Sequence, residues 1–219
     1  VSMEVSSHAL VQGRVNGVEF TTAVYTNLSH DHLDYHGSMD AYACAKLRLF
    51  ANESLRHAVI NADDPFASQV RAAVVRGAQV LTYSISGAAA AIRVANARFH
   101  ADGVRGELQG PWGVAEFFSP LPGEFNLANL AAAVGALVLA GEDLLAVLDA
   151  VAHLRPVPGR MQSIPNTLDL QIIVDYAHTP HALGNVLKTL RELQPHRLIT
   201  VFGCGGDRDR AKRPLMAAA

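Results

Sequence analysis

The stretch His30-Asp31-His32-Leu33-Asp34-Tyr35-His36 sets imidazoles and carboxylates side by side. Together these groups suit a divalent cation, bound directly or through water. The stretch closely follows a β-branched run at residues 21–26, so it sits at the carboxyl end of a predicted strand. In open α/β sheets that edge binds ligands. A solvated loop is the plainer alternative.

Lys46 falls within the largely apolar stripe that Tyr42, Ala45 and Leu49 mark on a predicted helix over residues 38–54. One reading is a lysine with its stem on the core and its ammonium in water. In the other, a desolvated amine near a metal site captures carbon dioxide as a carbamate, an anionic oxygen ligand for Mg²⁺. Glu4, near the end of a predicted strand at residues 1–5, could point a carboxylate at the same edge. Ser6, Ser7 and His8 add donors for a phosphorylated or carboxylated substrate, and Gln12 and Arg14 supply an amide and a guanidinium a turn later. The His-x-His-x-Asp-x-His pattern also resembles the dinuclear motif of metallo-β-lactamase-like hydrolases, one residue out of register because Tyr35 stands where that family has histidine.

Asn126 is positioned to cap an apolar helix, and Asn129, one turn on, shares its face. A pair of amides there could hydrogen-bond a nucleobase. Asp175 ends a predicted strand, where an acid commonly takes a ribose hydroxyl pair, with Thr179 as cap of a helix opening at Pro180. In Gly203-Cys204-Gly205-Gly206-Asp207-Arg208-Asp209, Arg208 stands where a dinucleotide fingerprint needs its third glycine. Its guanidinium suits a carboxylate instead. Gly-x-x-x-x-Gly-Lys-Ser/Thr occurs nowhere in the chain, so a P-loop, if one is used, lies upstream.

Alternating periodicity must position these groups. Predicted strands at 57–61 and 79–83 alternate with helices at 38–54 and 65–75, which implies a mostly parallel, doubly wound sheet. Strand-like runs at 92–99, 104–108 and 114–118, separated by Asp102-Gly103 and Gly110-Pro111, predict an antiparallel edge. Helices at 126–140 and 143–154 precede a Pro- and Gly-rich stretch, and the boundary falls there: one domain at 1–157, a second at 158–219. The second begins as a βαβ unit, with strands at 168–175 and 197–202, a helix at 180–193 and a last helix at 211–219, the start of a Rossmann-like α/β domain. Both ends look cut, so the chain reads as a fragment.

A formal charge of -2 argues against a general nucleic-acid or membrane-surface binder. No apolar run approaches the ~20 residues a bilayer span needs. Cys44 and Cys204 show no metal or redox spacing, which fits a reducing cytoplasm.

Met3-Glu4-Val5-Ser6-Ser7-His8, Thr26-Asn27-Leu28-Ser29, Asp31-His32-Leu33-Asp34-Tyr35-His36-Gly37, Ala45-Lys46, Phe125-Asn126, Gly159-Arg160-Met161, Asp175 to Pro180 and Phe202 to Pro214 together resemble the Mur ligases, in their MurE subgroup of diamino-acid-adding enzymes. The likeness covers nearly the whole chain in the family's order. It implies ATP-dependent addition of a diamino acid to UDP-N-acetylmuramoyl-L-alanyl-D-glutamate through an acyl phosphate, in a cytoplasmic monomer. It implies that Lys46 is a carbamylated lysine holding Mg²⁺ with Glu4 and His32, and that Lys46 and His32 serve catalysis. Ser6, Gln12 and Arg14 match positions that bind the UDP-muramoyl dipeptide. Asn126, Asn129, Arg160 and Asp175 match ATP-contacting positions, and Arg208 one that holds the diamino acid. A P-loop would stand roughly 40 to 80 residues upstream of Val1. A metal-dependent hydrolase built on His30 to His36 and a non-catalytic nucleotide-binding module remain the alternatives.

Overall fold

The sequence His-Ala-Val-Ile-Asn at His57–Asn61 has its three central residues wholly buried, as expected of a strand covered on both faces. In the computed structural model, which describes residues 1–100, 102–168, 170–192, 194–205 and 212–219, this strand is β2. It lies between β1 (Thr22–Tyr25) and β3 (Gln79–Ser84), all three parallel. β4 (Ile92–His100) joins β3 in parallel, and β5 (Gly103–Gly110) and β6 (Gly113–Ser119) complete an antiparallel edge. Spatial order follows chain order, β1 to β6. Gly103 opens β5 at φ +142°, and a Cβ there would overlap the Ser119 carbonyl oxygen, so only glycine fits.

Helices cover both faces, as the doubly wound pattern predicts. On one face Ala58 and Ile60 pack with Phe50 of α3 (Met39–Phe50) and Val70 of α4 (Ala67–Ala73). On the other, Val59, Leu81 and Tyr83 pack with Leu130, Ala131 and Val134 of α5 (Glu124–Leu139) and with α6 (Leu144–Ala152). Ser38 and Asp143 start α3 and α6 by accepting from the Ala41 and Ala146 amides at 3.2 and 3.0 Å. Among the described residues no helix is long and apolar enough to cross a membrane.

Several predicted elements differ. Residues 1–5 form no strand; helix α1 (Ser7–Val11) begins just after them, capped by Ser6, whose Oγ accepts from the Ala9 amide at 3.2 Å. Residues 33–36, within the predicted loop, form the short helix α2 (Leu33–His36). Asn126 is not the cap of α5: Gly123 occupies that position at φ +93°, and Asn126 lies inside the helix with its Nδ2 donating to the Pro122 carbonyl at 2.7 Å. The second sheet pairs β7 (Gln162–Ile164) with β8 (Ile172–Val174) in antiparallel fashion, before helices α7 (Pro180–Glu192) and α8 (Lys212–Ala218). Residues 197–202, the expected second strand of a βαβ unit, form no strand, and Ile199 and Val201 are 69% and 94% exposed. Their β propensity has no partner strand to express it.

Candidate active site

The parallel strands β1, β2 and β3 end on one edge, and two adjacent acids organise it. Asp63 accepts from the Ser84 and Ser86 hydroxyls, both at 2.6 Å, and from the Ile85 amide at 2.8 Å. Burial raises its pKa, but these hydrogen bonds together outweigh burial and hold it below the ordinary carboxylate range. Asp64 accepts from the Tyr25 hydroxyl at 2.7 Å and the Leu28 and Phe66 amides at 3.1 and 2.9 Å. Asn61 donates to the Thr26 carbonyl at 2.7 Å. The clamp was not among the candidate residues, although Asn61-Ala62-Asp63-Asp64 directly after an apolar strand is a legible signal for it.

Against that edge α1, α2 and α3 gather the residues singled out by type and spacing. The His8 ring lies 4.8 Å from that of His32, 4.2 Å from Tyr35 and 5.4 Å from His36. His36 stacks on the buried Tyr42 ring at 5.2 Å, and its Nε2 lies 2.9 Å from the Ser7 hydroxyl. His32, at φ 57°, turns the chain into α2, and its Nε2 lies 3.7 Å from Asp31. Burial lowers the pKa of both His32 and His36, and the neighbouring imidazoles add to that.

Lys46 is half-buried, with its Nζ 5.2 Å from the centroid of the Tyr42 ring. Burial pushes its amine below the ordinary lysine range, while the nearby carboxylates of Glu4, Asp31 and Asp64 pull the other way. Tyr42 itself is pushed up to about 12 by burial and then by Asp31. Tyr42 thus sits beneath Lys46, a role that its place in an apolar stripe concealed.

A cavity of about 880 Å³ opens over the His8, Asp31, His32 and Tyr35 side of this cluster, with Lys46 outside its lining. Glu4, Ser6, Arg14 and His32 line it from one side, and Tyr176, His178 and Gly203 to Gly205 from the other. Gln12, also predicted, lies outside the lining and donates from Nε2 to the Tyr35 hydroxyl at 3.2 Å. Asn126 and Asn129 lie one turn apart on α5, also outside the lining. Asp175 caps the end of β8 and accepts from the Met161 amide at 2.9 Å and the Ala177 amide at 2.7 Å. That tether brings the Arg160 guanidinium over the Tyr176 ring at 5.0 Å. Thr179 caps α7 as expected, accepting from the Ala182 amide at 3.1 Å. Arg208 lies outside the described residues.

Glu4 and His32, near the desolvated amine of Lys46, are donors of the kinds a divalent cation takes. A carbamate on Lys46 would have to complete the set, because among the described residues no three His, Cys, Asp or Glu side chains converge to hold a metal ion. The hydrolase alternative fares differently. It needs its ligands from the 30–36 histidines themselves, and among the described residues these do not converge with other acids or thiols on one point; His36 stacks on Tyr42, and the His32 ring meets those of His8 and Tyr42 edge-on.

Comparison with known proteins adds a second line. Residues 1–137 match the family model of the Mur ligase middle domain, and residues 159–219 that of the Mur ligase, glutamate ligase domain. The UDP-N-acetylmuramoyl-L-alanyl-D-glutamate--2,6-diaminopimelate ligase of Pseudomonas aeruginosa is 50% identical over 218 residues, covering 100% of this chain and 45% of its own. The enzyme of that name from Chromobacterium violaceum is 47% identical over 221 residues, with 100% and 44% covered. A solved structure of a ligase with that name superposes with a TM-score of 0.78 at 47% identity, over 99% of this chain and 45% of the other. The chain therefore spans under half the length of these relatives.

Proposed function

Because the chain belongs to the Mur ligase family, we propose that it supplies the middle and C-terminal portions of a cytoplasmic, monomeric ligase that adds meso-diaminopimelate to UDP-N-acetylmuramoyl-L-alanyl-D-glutamate at the expense of ATP. Residues 1–157 and 158–219 are its two domains on this reading. One observation carries it: a single cavity is lined by Glu4, Ser6 and His32 on one side and by Tyr176, His178 and the Gly203 to Gly205 turn on the other. Such a cleft between two α/β units suits two substrates that must meet.

In this ligase the D-glutamyl carboxylate attacks the γ-phosphoryl group of ATP, giving an acyl phosphate and ADP; the diamino acid's amine then displaces phosphate and loses a proton. Ser6, Gln12 and Arg14 hold the UDP-muramoyl dipeptide. Asn126, Asn129, Arg160 and Asp175 hold ATP, and Arg208 grips the diamino acid. Glu4, His32 and Lys46 would hold Mg²⁺, which when bound neutralises charge on the phosphate oxygens. Lys46 does so as its carbamate, its amine having taken up carbon dioxide with release of one proton. The lowered pKa that burial gives Lys46 favours the neutral amine this requires. Positioning and electrostatic stabilisation supply most of the catalysis.

The test is a graft. This chain replaces the matching 218 residues of the Pseudomonas aeruginosa relative, and phosphate release is followed with ATP, Mg²⁺, the dipeptide substrate and diaminopimelate. Turnover that needs all four supports the reading. Folded chimera that binds ATP yet releases no phosphate would instead leave a nucleotide-binding module. The 219-residue chain by itself, which contains no P-loop sequence, releases none.

A further inference from the structure

Away from the cavity, α7 touches the start of α5 at one narrow place. Gly123 has φ +93°, and a Cβ there would come within 3.0 Å of Thr189 Cγ2 and of the Phe125 ring. Thr189 is 7% exposed, so a polar residue of α7 is covered where it meets a glycine. Beside it, Lys188 Nζ donates to Glu124 Oε2 at 2.7 Å. Two consecutive residues of α7 thus grip two consecutive residues at the start of α5. The threonine fits where any side chain on Gly123 would intrude, and the ion pair fixes which residues face each other.

The place of this grip gives it a consequence. Asn126 stands two residues beyond Glu124, and Asn129 one turn further on the same helix. At the other side, α7 begins at Pro180, directly after the turn that Asp175 anchors. Both helices are rigid over these distances, so whatever holds α7 against α5 also sets the gap between the two asparagines and the Asp175 turn. We propose that Lys188 and Thr189 are positioning residues, a clasp that fixes the spacing between Asn126 and Asn129 on α5 and the segment Asp175 to His178 before α7. That these two segments together receive the nucleotide rests on the ligase reading; the clasp itself does not.

The chain carries its own probes for a test. Cys44 on α3 and Cys204 beside the cavity are both free and exposed, so spin labels on them report the spacing between the two regions in the full chain. Lys188→Glu, which sets like charges face to face, is expected to broaden and shift the distance distribution. The exchange Glu124→Lys with Lys188→Glu is expected to restore it. Lys188→Met, which keeps the stem and removes the charge, replaces the first variant if that one does not fold. A distribution unchanged in the single variant, or one the exchange does not restore, overturns the clasp. In the graft, Lys188→Glu is expected to raise KM for ATP about two- to five-fold with little change in kcat, again restored by the exchange. Distances that move while KM stays fixed overturn the link to nucleotide binding. An inactive unmodified graft counts against the ligase reading and leaves the distance result standing.

Discussion

At the carboxyl edge of the six-stranded sheet, Asp63 and Asp64 follow a strand whose Ala58, Val59 and Ile60 are wholly buried, whereas Asp175 follows β8, whose Ile172 and Val174 remain 37% and 43% exposed. The same residue type stands at the same kind of strand end in two settings. In the first, five side-chain or backbone donors from β1, the end of β3, the two residues after it and the turn before α4 reach the acids through 2.6–2.9 Å contacts, with longer ones besides. In the second, two amides reach one carboxylate. The lesson concerns rigidity. The edge that gathers Glu4, His32 and Lys46 is braced by a core on both faces, while the edge that presents Tyr176 and His178 is held by local tethers and the α7 contact. A rigid half and an adjustable half suit chemistry in which one substrate is fixed before another arrives.

The strongest way to break the comparison is to show that the braced edge does not carry the chemistry. In the graft, Lys46→Ala is expected to lower phosphate release by about 10²–10³-fold or more, with partial recovery when a small carboxylate such as acetate is supplied. A loss under about ten-fold would remove Lys46 from the reaction. Next in size is the difference in packing. Ile60→Ala is expected to cost about 2–5 kcal/mol in urea unfolding, because Ile60 is 0% exposed between α3 and α4. Val201→Ala, at a position 94% exposed, is expected to stay within about 0.5 kcal/mol. Equal effects would erase the contrast between the two sheets.

Asp63 sharpens the contrast by pH. Its folded-state pKa lies below the unfolded value, so the stability it contributes is present above the unfolded pKa and is lost as pH falls through the folded one. Asp63→Ala is therefore expected to destabilise the chain by about 1–3 kcal/mol at neutral pH, where it leaves the donors of Ser84, Ile85 and Ser86 without their acceptor. The deficit should shrink as the solution is acidified below the ordinary carboxylate range. A deficit that is constant with pH would mean that the carboxylate charge is not what these donors hold.

Much of this arrangement was legible in the sequence because it is periodic. Alternation of β-branched and helical runs implied the parallel sheet, and Asp102-Gly103 and Gly110-Pro111 marked the two hairpins that the structure forms. What stayed hidden depends on tertiary context. Residues 1–5 and 197–202 have strand composition, yet a strand exists only where a neighbour accepts its hydrogen bonds, and the structure pairs neither. Asn126 reads as a cap by type, but Gly123 can adopt the positive φ at the helix start and takes that place. At the site, type and order picked out Glu4, Ser6, Arg14 and His32, which do share a cavity. The bracing by Asp63, Asp64 and Tyr42 escaped notice, since a pair of acids after a strand and a tyrosine in an apolar stripe look ordinary until their partners are known.

A small, local effect probes the looser edge directly. Asp175→Ala removes the acceptor for the Met161 and Ala177 amides while leaving the six-stranded core untouched. Losing such partly buried hydrogen bonds costs about 1 kcal/mol, and the cost should appear locally as amide exchange several-fold faster at those two positions. Met161, held at φ 44° and 3% exposed, gives the change its direction: without the carboxylate this strained backbone relaxes and Arg160 leaves the Tyr176 ring. Exchange at Ile60 should stay at its original rate. If it rises in step with Met161, the two sheets open together, and the second edge is braced by the first core rather than by its own tethers.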